Sequence, residues 1–321
     1  MASSDMTRIL LKEANVSLAS KPHAVATWRI PGFYMDQEGH LEAKRKMEPD
    51  AQAAFSTALA YKYTGKTVYA NKAREMIYAW AKMNRGFTEN DGPLVSAYLG
   101  VGLIRAADMI KDYHFFNREE QTTFKRWMTQ VCLPAWKGIQ GRNNWWSWSL
   151  YAQAAYYAYA GDKAALQVVI EELKEHIDKS ISSQGFITEE TERGKNGMWY
   201  HYFALAPTTA AADLIRKATQ EDLFHWVSPS GRSLKLALDT LFYYVNGHVN
   251  EWPYAPDQNF PELAQDTWPV ELYDAMARIY GDAAYEHFVG PYRPVIGNRN
   301  QESGYYLSYA WVYPEMIIDI N

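Results

Sequence analysis

The chain has 321 residues, long enough for one large domain or two small ones. Hydrophobic residues make up 48% and charged residues 21%, which excludes a disordered chain, and the net charge of −5 gives no global attraction for nucleic acid. Cys132 stands alone, so no intramolecular disulfide is possible, and no apolar run reaches the roughly 18 residues of a membrane span. Neither nucleic acid nor membrane is therefore expected as a partner, and a monomer is expected. The composition stands out only in its aromatics, 15% of the chain with 24 Tyr and 12 Trp. Such side chains have an apolar body and a polar tip, which suits a wet groove that stacks on sugar rings as well as a helical core.

In chain order, residues 1–15 carry only Ile9-Leu10-Leu11 as an apolar run, too short for a signal-peptide core. This leaves the compartment undecided. Residues 28–49 hold Pro31, Gly32, Gly39 and the basic run Lys44-Arg45-Lys46, and read as a loop that can serve as a lid. From about Pro49 the pattern is helical, over roughly 50–64, 69–83, 95–112, 144–160, 163–182, 199–217, 231–246, 268–280 and 304–318. Tyr69, Ala73, Met76, Ile77 and Trp80 mark one buried stripe. Asn117 with Glu120 forms a capping box ahead of Phe124, Trp127 and Met128. Cys132 lies in an apolar helical stretch and reads as a small buried hydrophobe. No alternating strand is evident, although Tyr243-Tyr244-Val245 before Asn246-Gly247 allows a short extended piece. Residues 250–269, with four prolines beside Trp252, Tyr254 and Trp268, read as a second lid or groove wall.

Three segments repeat a theme. Ala60 to Lys66, Tyr157 to Lys163 and Ala277 to Asp282 each end an aromatic-containing helix at a glycine and start another soon after. Glycine takes the left-handed conformation that closes a helix, and short turns of this kind make antiparallel pairs. Stacked pairs form an open solenoid or close into a toroid. No linker or composition shift marks a second domain, so residues 1–321 are expected to form one.

No nucleotide-binding glycine motif occurs, and none of the eight histidines pairs with another at metal-ligand spacing. No cofactor or metal is expected. The chemistry instead points to Arg142-Asn143-Asn144-Trp145-Trp146-Ser147-Trp148, then Gln184-Gly185-Phe186, then Glu189-Glu190-Thr191-Glu192-Arg193, then Tyr200-His201-Tyr202. Gly194 to Gly197 break the helix, which puts Arg193 on a loop and Tyr200 in the first turn of the next helix.

This series resembles the alginate lyase family with an (α/α) toroid fold, over about 53–214. That family carries Asn-Asn-His-x-x-Trp, an Asp-x-Gln-Gly-Phe-like element, Glu-x-x-Arg and Tyr-His. Asn143 and Asn144 match the asparagines, Trp148 the tryptophan, Arg193 the arginine and Tyr200 the tyrosine. The resemblance implies an all-α toroid of helical hairpins, an acidic polysaccharide as partner, and β-elimination without metal. It also implies an extracellular or periplasmic location.

In such an elimination the C5 proton beside a carboxylate is removed and the C4 glycosidic oxygen is expelled. An asparagine amide and an arginine fork stabilise the enediolate that forms, while a base takes the proton and an acid protonates the leaving oxygen. Asn144, Arg193, Tyr200 and His201 are the expected catalytic residues. Asn143, Trp145, Trp146, Trp148, Arg142, Lys44, Arg45 and Tyr202 are the expected substrate contacts. The sequence departs from the family at Trp145, which stands where the family has histidine and cannot accept a proton. Three outcomes stay open: Tyr200 acts as both acid and base, His201 or His248 supplies the base, or catalysis is lost.

Simpler roles stand beside these. Asn143 suits a helix N-cap, the tryptophans suit packing, and Arg193 can pair with Glu189, Glu190 or Glu192. Two rival functions also fit: a glycoside hydrolase using Glu190 and Asp257, and a non-catalytic carbohydrate-binding protein.

Overall fold

The computed structural model describes residues 3–320. Its helices are α1 (Ser4–Ser17), α2 (Gln37–Lys44), α3 (Glu48–Thr64), α4 (Thr67–Met83), α5 (Gly92–Met109), α6 (Arg118–Trp127) and α7 (Leu133–Lys137). They continue with α8 (Asn144–Ala160), α9 (Lys163–Ser180), α10 (Gly197–Thr219), α11 (Leu234–Val245), α12 (Val270–Tyr280), α13 (Ala283–Val289) and α14 (Pro314–Ile318).

Burial sorts these helices into two layers. Along α3, α5, α8 and α10 most positions are buried, the mark of an inner helix packed on several sides. By contrast α1, α4, α9 and α11 bury one stripe each. The four inner helices pack in sequence, α3 on α5, α5 on α8 and α8 on α10, with α1, α4, α9 and α11 outside them. This is the expected (α/α) toroid of antiparallel hairpins. The glycines of the repeat do what the repeat requires: Gly65, Gly161 and Gly281 cap α3, α8 and α12 at φ of 67°, 70° and 65°. Asn117 caps α6, its side-chain oxygen accepting the Glu120 amide at 3.0 Å.

Four expectations need correction. Residues 28–49 are not all loop, since α2 lies within them, capped by Asp36. Two short strands, β1 (Thr27–Arg29) and β2 (Gly86–Thr88), pair in parallel and tie that segment to the end of α4. Residues 243–245 stay helical because α11 runs on to Val245. The helix expected over 304–318 shrinks to α14, as the ring of Tyr309 lies against α5, where a Cβ on Gly102 would come within 2.8 Å of it. The earlier helix α1, preceding the predicted helical region, buries only Met6, Leu10, Ala14 and Ser17, a stripe too thin to stand out.

Because an outer helix returns the chain between successive inner ones, the N-termini of α3, α5, α8 and α10 gather at one end. Helix N-termini carry partial positive charge and unpaired N–H groups, which favours anions there. Among the described residues no helix is long and apolar enough to cross a membrane.

Candidate active site

Asn143 caps α8, its side-chain oxygen accepting the Trp145 amide at 3.0 Å. The next residue, Asn144, points inward and is 1% exposed. Its backbone N–H and its side-chain Nδ2 both donate to Glu190 Oε1, each at 2.7 Å. The other Glu190 oxygen accepts Arg193 Nε at 2.9 Å. Glu190 sits in a single 3-10 turn, Thr188–Glu190, and is fully buried. Burial raises its pKa, while the bonds from Asn144 and the charge of Arg193 work against that rise. The Asn144 Oδ1 atom is buried and finds no hydrogen-bond partner among the described residues. The second hydrogen on Nδ2 is likewise left over, since an amide nitrogen carries two.

The motif upstream of this turn is built by close approach. Gly185 has φ of 85°, and a Cβ there would lie 2.6 Å from the Leu236 carbonyl of α11. Only glycine satisfies both conditions, which brings Phe186 onto His201, Tyr244, Trp252 and Tyr254.

Arg193 precedes the 3-10 turn Gly194–Asn196, and α10 starts directly after it. Its guanidinium lies 4.7 Å from the centre of the Tyr200 ring, over the ring face. Tyr200 is half-buried, and its hydroxyl meets the hydroxyl of Tyr34 at 2.6 Å. Burial is the main cause that lifts the Tyr200 phenol above its ordinary range, and the Tyr34 hydrogen bond adds to it; Arg193 opposes, and Glu190 reinforces the rise. A cation beside a phenol favours the phenolate. The cation is present, but burial and Tyr34 outweigh it, and the phenol is protonated in this state.

Tyr34 was not anticipated. It is 74% exposed on the turn between β1 and α2, flanked by exposed Phe33 and Met35. The turn is anchored from below. Asp91, at the start of α5, accepts the Phe33 amide at 2.9 Å and lies 3.2 Å from His40 Nδ1. His40 Nδ1 also donates to the Pro31 carbonyl at 2.9 Å, and its ring packs edge-on against Phe33.

Several expected contacts lie elsewhere. His201 is 1% exposed; its Nδ1–H donates to the Gly197 carbonyl at 2.8 Å and its Nε2 accepts the Ile187 amide at 2.9 Å. Burial holds its pKa down at about 4. With both nitrogens taken by the backbone, His201 has no atom left for a substrate proton, which corrects its assignment as a base. His248, the other candidate, stacks on Tyr243 at 4.2 Å and bonds the Tyr243 carbonyl, so it belongs to the end of α11.

Tyr202 is buried with its hydroxyl on Glu271, and Trp148 is 0% exposed among Tyr98, Tyr151 and Phe203. Neither presents a face to a sugar. Lys44 is 4% exposed, 3.3 Å from Glu48 and 5.5 Å from the centre of the Tyr98 ring, so it is an internal ion pair and not an open basic contact. Trp145 is half-buried in the first turn of α8. Trp146 is 7% exposed beneath the Arg142 guanidinium, 3.9 Å from its ring centre, in a cleft of about 360 Å³ with His176 and Lys179. Arg45, the residue that ends α2, is exposed.

The carboxylate pair of a hydrolase is not assembled. Both Glu190 oxygens are engaged by Asn144 and Arg193, and Asp257 is 65% exposed in an ion pair with Lys195 at 2.9 Å. Among the described residues no three His, Cys, Asp or Glu side chains are placed to hold a metal ion.

The structure therefore joins Asn144, Arg193 and Tyr200 at the N-terminal end of the inner helices. A family model described as alginate lyase matches residues 3–252. Solved structures agree in fold. An alginate lyase from Bacteroides ovatus superposes with a TM-score of 0.74 at 19% identity, covering 98% of this chain and 93% of that one. Alginate lyase A1-III from Sphingomonas species A1 gives 0.73 at 15% identity, with 96% and 93% covered. A variant of A1-III complexed with a tetrasaccharide gives 0.72 at 15% identity, over the same shares of the two chains. No curated protein sequence matches the chain. The match to the family model over most of the chain identifies it as a polysaccharide lyase belonging to the alginate lyase family.

Proposed function

We propose that this lyase cleaves a polyuronate, with mannuronate-rich alginate or glucuronan favoured, by a same-side β-elimination centred on Tyr200. The observation that carries the reading is the link from Asn144 through Glu190 to Arg193, whose guanidinium covers the Tyr200 ring. Asn144 offers its second Nδ2 hydrogen, and Arg193 its remaining N–H donors, to the uronate carboxylate. Charge that develops on that carboxylate as the C5 proton leaves is met by donors already in place, the arrangement that stabilises an enediolate most.

Tyr200 is a protonated phenol in this state and is ready to donate to the C4 oxygen. For the same group to take the C5 proton it must first lose its own. Separation from Tyr34 and the charge of Arg193 both act in that direction. One group serving both steps requires the C5 proton and C4 oxygen on one face, as in mannuronate and glucuronate. Trp145 in place of histidine, and His201 with both ring nitrogens engaged by the backbone, favour this over His201 as base. The test is the release of C4=C5 unsaturated, ultraviolet-absorbing product from defined polyuronates, with Tyr200→Phe as control.

A further inference from the structure

We infer that Glu190 is a positioning residue for the elimination: its buried carboxylate sets the geometry of Asn144 and Arg193 together and tunes Tyr200 through the charge it places beside Arg193. The inference rests on the roles proposed above for those three residues.

The geometry is unusually closed for a carboxylate. One oxygen accepts two donors of Asn144, backbone and side chain, at 2.7 Å each, and the other accepts Arg193 Nε at 2.9 Å. A buried carboxylate stays charged only when such donors surround it, and losing one partner leaves a costly unpaired group. Glu190 therefore constrains what it touches. Because a carboxylate has no hydrogen to give, the Asn144 amide must turn Nδ2 toward it, and the orientation that leaves Oδ1 unpartnered follows. Arg193 is held by Nε, so the two terminal guanidinium nitrogens remain for a substrate carboxylate.

Three elements meet at this one side chain: the N-terminus of α8, the Thr188–Glu190 turn and the segment leading into α10. The charged or titratable groups facing it are Arg193 and, across the guanidinium, Tyr200. Asn144 is the only polar side chain that α8 presents to it by hydrogen bonding. Glu190 acts on Tyr200 with the opposite sign to Arg193, so the pair presents less net charge to the phenol than Arg193 alone.

Glu190→Gln separates this role from simple support. The glutamine has the same shape, but its amide nitrogen must face donors from either Asn144 or Arg193. At saturating polyuronate, kcat is expected to fall by about 10²-fold or more, with KM changed much less. The pH–rate limb set by Tyr200 is expected to move to lower pH, because a negative charge near the phenol has gone while Arg193 stays. Glu190→Asp is the second arm: the charge remains but is withdrawn by one methylene, so kcat falls while that limb keeps its place. It also serves if the glutamine variant does not fold.

A Glu190→Gln enzyme with kcat within about threefold of the parent or with an unmoved limb overturns the inference. So does a Glu190→Asp enzyme of full activity. A parent enzyme that releases no unsaturated product from any polyuronate overturns the proposed function itself, and this inference with it.

Discussion

The hydroxyls of Tyr34 and Tyr200 stand 2.6 Å apart, although 166 positions separate them in the chain. One is on an exposed turn and the other at the start of an inner helix. The contact places a surface segment directly on the phenol to which the elimination is assigned.

Replacing Tyr200 with phenylalanine removes one hydroxyl, whose only hydrogen-bond partner among the described residues is Tyr34. Activity on polyuronate should fall by about 10³-fold, since the acid and base functions proposed for Tyr200 go together. Stability should change by less than about 1 kcal/mol, as thermal unfolding would show.

Tyr34→Phe should act on pH dependence. The Tyr34 hydrogen bond raises the Tyr200 pKa, so its loss favours the phenolate and moves the Tyr200 limb of the pH–rate profile to lower pH. A limb that stays in place would mean that the turn has left Tyr200 before the chemistry begins.

Stability should fall on mild acidification. His201 and His176 are both buried, and burial depresses each pKa from 6.5 to about 4. The unfolded chain therefore takes up protons first as pH falls. The stabilisation is fully present above about pH 6.5 and is lost between there and pH 4, on the order of 3 kcal/mol for each histidine. Urea unfolding at a series of pH values measures this slope, which should flatten in His201→Gln.

Asp257→Asn should leave lyase activity within about twofold. Asp257 is exposed and pairs with Lys195 across solvent. A hydrolase relying on this carboxylate would instead lose nearly all turnover.

Much of the fold was legible because it repeats. Glycines at helix ends and aromatic-rich inner faces recur at Gly65, Gly161 and Gly281, and these local rules agree with the global arrangement. What was hidden depends on contacts distant in sequence. Nothing near Tyr34 announces that it reaches Tyr200, and α2 is short enough to pass for part of a loop between Pro31 and Pro49. At the candidate site, Asn144, Arg193 and Tyr200 were marked out by the resemblance to the family's motifs, and the three-residue step from Glu190 to Arg193 already allowed their pairing. That Glu190 also holds Asn144 could not be read, because the two lie 46 positions apart. Residue type misled where burial decides: Tyr202, Trp148, Lys44 and His201 have side chains suited to substrate or catalysis, yet each is enclosed and committed to partners inside the protein.

The most direct test of the account is a panel of polymannuronate, polyguluronate, alginate and glucuronan, incubated with the enzyme and followed near the ultraviolet band of the C4=C5 double bond. The account predicts rising absorbance with polymannuronate or glucuronan, little with polyguluronate, and none when Tyr200 is replaced by phenylalanine. Chain shortening without that absorbance, or undiminished product from the Tyr200→Phe enzyme, would contradict an elimination centred on Tyr200.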